Sequence, residues 1–471
     1  MKRGIKNLLL VTLGELVGPL LGFFVLAYLA RVLGVANFGM INFAQAIFSY
    51  GLLLNYLGLP TLGTREIARN LDPGKITSSI LSLRLFLSLL GFILISIISL
   101  ILPKNSETKT LVLLYGVSIF TIGLFLDWFY QGKEAMQYLT YSRIINYSVY
   151  FIFILILIRN KNDFYLVPIG FLLSNLSVVL FQLIVYRQRF GKLRFGFNWN
   201  DWKGLLKLAL PLGAVSLLIQ FGQYFTPSLL GFIKGNIAVG YFSAAAKIVL
   251  MITIVDRVFS IIALPTITRY HSANNPDLLN RLLNRLQKLL LAIVLPIVIG
   301  GIILAKEIMV LVFGRNYLPA VPVFQILIFF FGITIFVSLY GTSLIAMGKE
   351  SRYARSIGTG TLTNVILNPF LATFFGAIGS AITVVLAEAV TLTFAVSNYR
   401  LLDCLKQSCD VPQALKLVFK PILATCLMAA FLLLLPSINI FLRILGSIII
   451  YGGFIFLIKG LSIRDLELKR Q

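Results

Sequence analysis

The feature that most constrains this chain is a succession of apolar runs, each about 20 residues long, separated by short polar breaks. A helix needs about 20 predominantly apolar residues to cross a hydrocarbon layer, and only helices or closed barrels satisfy their backbone polar groups there. Barrel strands are short and alternating, whereas these runs are long and continuous. The chain therefore reads as an all-α polytopic membrane protein. Windows of this length give about fourteen spans, from Ile5–Ala30 and Phe38–Leu59 through Thr77–Leu102, Thr110–Tyr130, Ser356–Phe374 and Ile378–Asn398 to Leu417–Leu435 and Ile440–Ile458. Of the 471 residues 58% are hydrophobic and 12% charged. A soluble domain would carry about a quarter charged residues, so no polar shell is available.

The few charges are lopsided, with 41 Lys and Arg against 17 Asp and Glu. In a soluble protein a net charge of +24 would suggest nucleic acid; here it reports on topology. Alternating the spans from the N-terminus places 29 of the cations in segments on the N-terminal side and 9 on the other, leaving Arg84, Lys247 and Arg257 inside spans. The positive-inside rule then makes both termini cytoplasmic, in the cell (inner) membrane, with membrane lipids as surroundings and no nucleic acid as partner. Trp128, Trp199 and Trp202 fall at the same ends as the cations, where an interfacial aromatic belt would put them.

Several chemistries are disfavoured. Cys404, Cys409 and Cys426 cannot build a disulfide framework for so long a chain, and the single histidine, His271, cannot found a metal cluster. The four Gly-Lys pairs precede Ile76, Glu134, Leu193 and Glu350, never the Ser or Thr of a phosphate loop. The basic start MKRGIKN leads into an apolar run without a small-x-small cleavage site, so the first run is expected to stay as a spanning helix. Loops are short throughout. A membrane glycan polymerase or ligase would need a large loop for its chemistry, so the chain reads as a transporter and not an enzyme, with no cofactor.

Three short matches recur in order. Gly34-Val-Ala-Asn-Phe-Gly39 parallels Gly235-Asn-Ile-Ala-Val-Gly240; Leu59-Pro60-Thr61 parallels Leu264-Pro265-Thr266; Gly132-Lys133-Glu134 parallels Gly348-Lys349-Glu350. The offsets are 201, 205 and 216. Six spans separate equivalent positions, an even number, so the two units share one orientation and are related by an axis along the membrane normal. The expected organisation is a six-helix bundle over 1–200, a second over 201–410, and two further helices with a tail over 411–471. Transporters with parallel repeats hold substrate between the halves and rock one against the other.

The pattern Asn7…Arg31-x-Leu33-Gly34-x4-Gly39, followed by Leu57-Gly58, Arg65-x-Ile67-Ala68, the Gly132-Lys133 turn and the matching second half, resembles the polysaccharide-transporter branch (Wzx-type oligosaccharide flippases) of the MOP, or MATE-like, exporter superfamily. The resemblance covers essentially the whole chain, through structural motifs. It implies two six-helix bundles in a V around a central cationic cavity, plus two C-terminal helices. The implied cargo is a polyprenyl-pyrophosphate-linked oligosaccharide moved to the outer leaflet for polysaccharide biosynthesis. Glycosyltransferases and a glycan polymerase would work beside it. A drug/cation antiporter of the same superfamily would share the fold, but cationic cargo calls for a cavity dominated by acids.

Ionisable side chains within spans are costly, about 2.5–3.5 kcal/mol at mid-helix, and tend to face a cavity or a partner. Arg84, Lys247 and Arg257 are the candidates to attract the pyrophosphate. Glu15, Asp127, Asp256 and Glu388 are the candidates to carry a coupling H+ or Na+. Lys247 and Glu15 lie too deep to reach the interface easily, whereas Arg84, Arg257, Asp256 and Asp127 could snorkel or cap helix ends. Gly14, Gly18 and Gly22 form a stripe against which another backbone could pack, and Pro19, Pro211, Pro265 and Pro296 could bend their helices.

Overall fold

The computed structural model describes residues 2–69, 73–193, 196, 198–272, 276–400, 411–436 and 438–458; for some of these, including 2–17, 257 and 411–418, the backbone alone is described. They form fifteen α-helices and two short 3-10 turns: α1 (Lys2–Tyr56), α2 (Leu59–Ala68), α3 (Pro73–Ile101), α4 (Ser106–Gly123), α5 (Asp127–Gly132), α6 (Met136–Leu157), α7 (Leu166–Arg189), α8 (Trp199–Ile252), α9 (Ile254–Ser272), α10 (Pro276–Ile303), α11 (Ala305–Phe313), α12 (Val321–Ala346), α13 (Glu350–Arg400), α14 (Val411–Leu434) and α15 (Ile440–Leu457).

Ten of these stretches are long and apolar enough to cross a membrane, and three of them run for 49, 57 and 50 residues. At 1.5 Å per residue a 50-residue helix would measure about 75 Å, more than twice the hydrocarbon thickness. The three longest helices each contain one internal break, at a glycine of positive φ: Gly34 in α1, Gly235 in α8 and Gly376 in α13. Counting these three twice and adding the shorter apolar stretch Phe419–Leu434 gives the fourteen crossings expected of the chain. The protein is an all-helical, multi-pass membrane protein. Leu100, Phe374, Leu434 and Leu457 are more than three-quarters exposed, as suits side chains turned to lipid.

The breaks fall at glycines and not at the prolines singled out above. Pro211, Pro265 and Pro296 lie inside continuous helices. The backbone at Gly34 (φ 76°, ψ 174°) and Gly235 (φ 79°, ψ −175°) is the same to within a few degrees of φ. This region is open essentially to glycine alone, so the first repeated motif encodes one shared turn. The equivalent glycines five residues on touch each other's segments reciprocally: a Cβ at Gly39 would overlap the Asn236 carbonyl, and a Cβ at Gly240 the Val35 carbonyl. Position 35 is the repeat equivalent of 236, so the contact has the two-fold form expected of parallel repeats.

The third motif is also a turn in both halves, in shifted register. Glu134 (φ 55°) and Gly348 (φ 68°) hold the left-handed position. The amides of Ala135 and Lys349 reach back five residues, to the carbonyls of Tyr130 and Leu344, at 2.9 and 2.8 Å. Gly132 serves a different need, the close approach of α2, where Ile67 and the Thr64 carbonyl leave no room for a Cβ. The second motif diverges: Leu59 opens α2 after left-handed Gly58, whereas Leu264-Pro265 continues through α9.

The described residues group into two compact units, Met1–Ser243 and Ala244–Gln471. In the first, α1 packs on α3, α4 and α6, and α7 on α4 and α6. The helix segment 199–234, assigned by the repeat to the second half, lies with this unit; its Gly213 meets the Gly58 backbone directly. At the end of the unit that carries the N-terminus, α2, α5 and the start of α8 enclose a core including Leu59, Trp128, Phe129, Tyr130, Tyr186 and Trp202. Trp128 and Trp202 are therefore core residues, and Trp199 alone of the three is exposed. Gly18 and Gly22 face the ring of Tyr147 on α6, not a second backbone.

In the second unit α12 packs on α9, α10 and α13, and the C-terminal pair α14 and α15 docks on α10. Tyr451 of α15 donates to the Ala292 carbonyl (2.6 Å). Arg443, nearly fully buried, bonds the Leu432 carbonyl (2.7 Å) and Glu307 (3.0 Å). The two limbs of α13 run antiparallel about Gly376. Ser380 bonds Asn368 (2.9 Å) near the turn, and Arg352 bonds the Asn398 carbonyl (3.2 Å) at the far end.

Candidate functional site

Buried polar residues concentrate in two places, one in each unit. In the first, the fourth crossing is interrupted between Gly123 and Asp127. Irregular backbone within a membrane must find its hydrogen bonds inside the protein. Arg84 of α3, 2% exposed, supplies them: Nη2 donates to the Ile122 carbonyl (2.9 Å) and Nη1 to the Phe125 carbonyl (2.8 Å). One turn on, Ser88 links the Arg84 carbonyl (2.8 Å) to Asn55 of α1.

Gln182 of α7, fully buried, secures the other side of the interruption. Its Oε1 accepts from the Leu126 amide (2.7 Å). Its Nε2 donates to Asp127 Oδ1 (2.5 Å) and to Ser142 Oγ of α6 (3.0 Å). Tyr130 donates to the Gln182 backbone carbonyl (2.6 Å). One amide side chain with every hydrogen-bonding group used thus fixes three elements and the direction of Asp127, whose residue surface is exposed. Arg84 and Arg143 are both within electrostatic reach of Asp127.

These contacts revise the reading of Arg84. Both terminal nitrogens donate to carbonyls of the interruption, which they brace, while the buried Nε has no hydrogen-bond partner among the described residues. Gln182, Asn55 and Ser88 had gone unnoticed. Their signal was an uncharged polar residue within an apolar run, as in Val178-Val-Leu-Phe-Gln182-Leu-Ile184.

In the second unit, Glu388 on the second limb of α13 accepts from Thr334 Oγ1 of α12 (2.9 Å). Asp256 of α9 and Tyr353 of the first limb of α13 interact electrostatically with it. Tyr353 is seated against Gly341 of α12, where a Cβ would strike its ring. Thus two of the four acid candidates share one neighbourhood. Lys247, on the second limb of α8, is half-buried and has no hydrogen-bond or ion-pair partner among the described residues. Glu15 and Arg257 fall within α1 and α9, and their side chains lie outside the described residues. Among the described residues no three His, Cys, Asp or Glu side chains gather as metal ligands.

A family model described as polysaccharide biosynthesis protein matches residues 5–271, more than half of the chain. A protein of Escherichia coli K12 named "Putative O-antigen transporter" is 25% identical over 430 residues, covering 86% of this chain and 98% of that protein. A Haloferax volcanii protein named "Probable low-salt glycan biosynthesis flippase Agl15" is 24% identical over 182 residues, 37% of this chain and 38% of its own. Among solved structures, the lipid II flippase MurJ in an inward closed conformation matches with a TM-score of 0.79 at 17% identity, covering 97% of this chain and 99% of that one. An inward-facing multidrug-resistance MATE transporter of the MOP superfamily matches with a TM-score of 0.64 at 15% identity, covering 86% and 99%. At these identities the two structures establish a shared fold.

Proposed function

The chain belongs to the polysaccharide biosynthesis protein family, and from that premise we propose that it is a flippase carrying a polyprenyl-pyrophosphate-linked oligosaccharide from the cytoplasmic to the outer leaflet by alternating access. In this reading both termini are cytoplasmic and the 29 cations on their side hold that orientation in the cell membrane. Glycosyltransferases supply the cargo and a polymerase consumes it.

The observation that carries the substrate assignment is Lys247. An ammonium group part-way along an apolar helix, half-buried and without a counter-ion among the described residues, is expensive unless a mobile anion meets it. A pyrophosphate is such an anion, and a point charge on a flexible stem suits a ligand that must be released again. Arg257, ten residues further on, is the second candidate contact. Arg84 braces the interruption of the fourth crossing through its carbonyl bonds.

For coupling, the electrostatic interaction of Glu388 with Asp256 favours that neighbourhood over Glu15 and Asp127. Two carboxylates within reach of each other in a low-dielectric bundle attract a proton or Na+. The experiment is complementation of a cell deprived of its own flippase. Lys247→Met is expected to abolish surface glycan at normal protein abundance, while Lys247→Arg keeps part of it. Full export by Lys247→Met would refute the substrate assignment. Glu388→Gln is expected to remove the dependence of export on the ion gradient; an unchanged dependence would refute the coupling assignment.

A further inference from the structure

At the end of the first unit opposite the N-terminus, α3 runs out at Leu102-Pro103 and Asn105 caps α4. Lys104 lies between them. It turns inward: its Nζ donates to the Gly231 carbonyl of α8 (2.6 Å) and stands 5.4 Å from the centre of the Phe43 ring of α1. Gly231 sits four residues before the break at Gly235, so its carbonyl belongs to the last turn of that limb, where helix carbonyls lack partners and the dipole favours a cation.

The surroundings are built for this contact. Phe43 fills the place a Gly231 side chain would need, and its ring meets Phe232 edge-on at 5.4 Å. Among the described residues Lys104 has no carboxylate partner, so neutral groups alone hold a charged side chain whose pKa burial has lowered. A carbonyl and a ring bind an ammonium firmly enough to hold a helix end and loosely enough to let it go.

We propose that Lys104 is a latch on the seventh crossing, holding the outer end of helix segment 199–234 against Phe43 and releasing it when the protein opens outward. The latch joins three separate pieces of chain at the point where that segment meets its Gly235 hinge. The inference rests on the alternating-access reading above but not on the cargo, because its test reads the gate without any glycan.

The test uses Ser228, buried one turn before Gly231. It is replaced by Cys in a full-length chain whose Cys404, Cys409 and Cys426 are changed to Ser, and a membrane-impermeant maleimide is added to intact cells. Lys104→Met is expected to raise the labelling rate by about ten-fold, the size of one charge-assisted hydrogen bond. Lys104→Arg, which keeps the charge and the donors, is expected to stay within about two-fold of the parent. Labelling is scored only on protein recovered as a monodisperse species, so misfolded chains do not contribute. A Lys104→Met rate equal to the parent's would overturn the latch, and so would an equal rise in both variants. Glycan export in the same cells separately reports on the flippase reading, so the two can fail independently.

Discussion

At the scale of single residues, the charged side chains inside the membrane divide by whether their bonds are already made. Arg84 bonds two carbonyls and Lys247 has no partner among the described residues, and on that contrast we propose the first as a brace of the backbone and the second as the contact for cargo. Gln182 makes the division testable. Gln182→Ala would strand the Leu126 amide and the Ser142 hydroxyl, and is expected to cost about 2–4 kcal/mol, read as a lowered unfolding midpoint in detergent. Asp127→Asn keeps an acceptor for Gln182 and is expected to stay within about 1 kcal/mol of the parent. The sequence marked Arg84, Asp127 and Glu388 as unusual because charge in an apolar run is conspicuous. It could not show that the Arg84 terminal nitrogens are taken up by carbonyls, since the deciding partners are backbone groups, which any residue could provide.

At the scale of elements, glycines set where the chain turns. The repeat was legible at Gly34 and Gly235 because their backbone region excludes other residues, so the letter and the geometry coincide. The Gly-Lys-Glu match was legible as a turn but not in its register, because Glu134 takes the left-handed position in one half and Gly348 in the other. Nothing in the letters separates Leu59-Pro60, which opens a helix, from Leu264-Pro265, which lies within one; tertiary packing decides that. Two substitutions divide strain from contact. Gly235→Ala has open space around it, so it carries backbone strain alone, about 1–3 kcal/mol. Gly39→Ala has an ordinary helical backbone but overlaps the Asn236 carbonyl, and should lower the unfolding midpoint further because both helices must move apart.

At the scale of the whole molecule, the span pattern sufficed for an all-helical multi-pass architecture of about fourteen crossings. Counting the three broken helices twice and adding Phe419–Leu434 returns the same number. Reporter fusions in successive loops should alternate sides and return both termini to the cytoplasm; a terminus outside would overturn the charge argument. The belt expected of the tryptophans did not materialise, since Trp128 and Trp202 fill the core where α2 and α5 close one end of the first unit. Composition cannot tell an interfacial ring from a buried one.

The proposed activity is the movement of a pyrophosphate-linked glycolipid that depends on one ammonium group. The direct measurement is translocation by the purified protein in proteoliposomes bearing a fluorescent polyprenyl-pyrophosphate oligosaccharide, followed by a membrane-impermeant quencher. The parent protein should bring the protected inner-leaflet half of the probe into reach, and Lys247→Met should fall to the protein-free rate. A parent protein that moves no probe, or a Lys247→Met protein that moves it at the parental rate, would contradict the account.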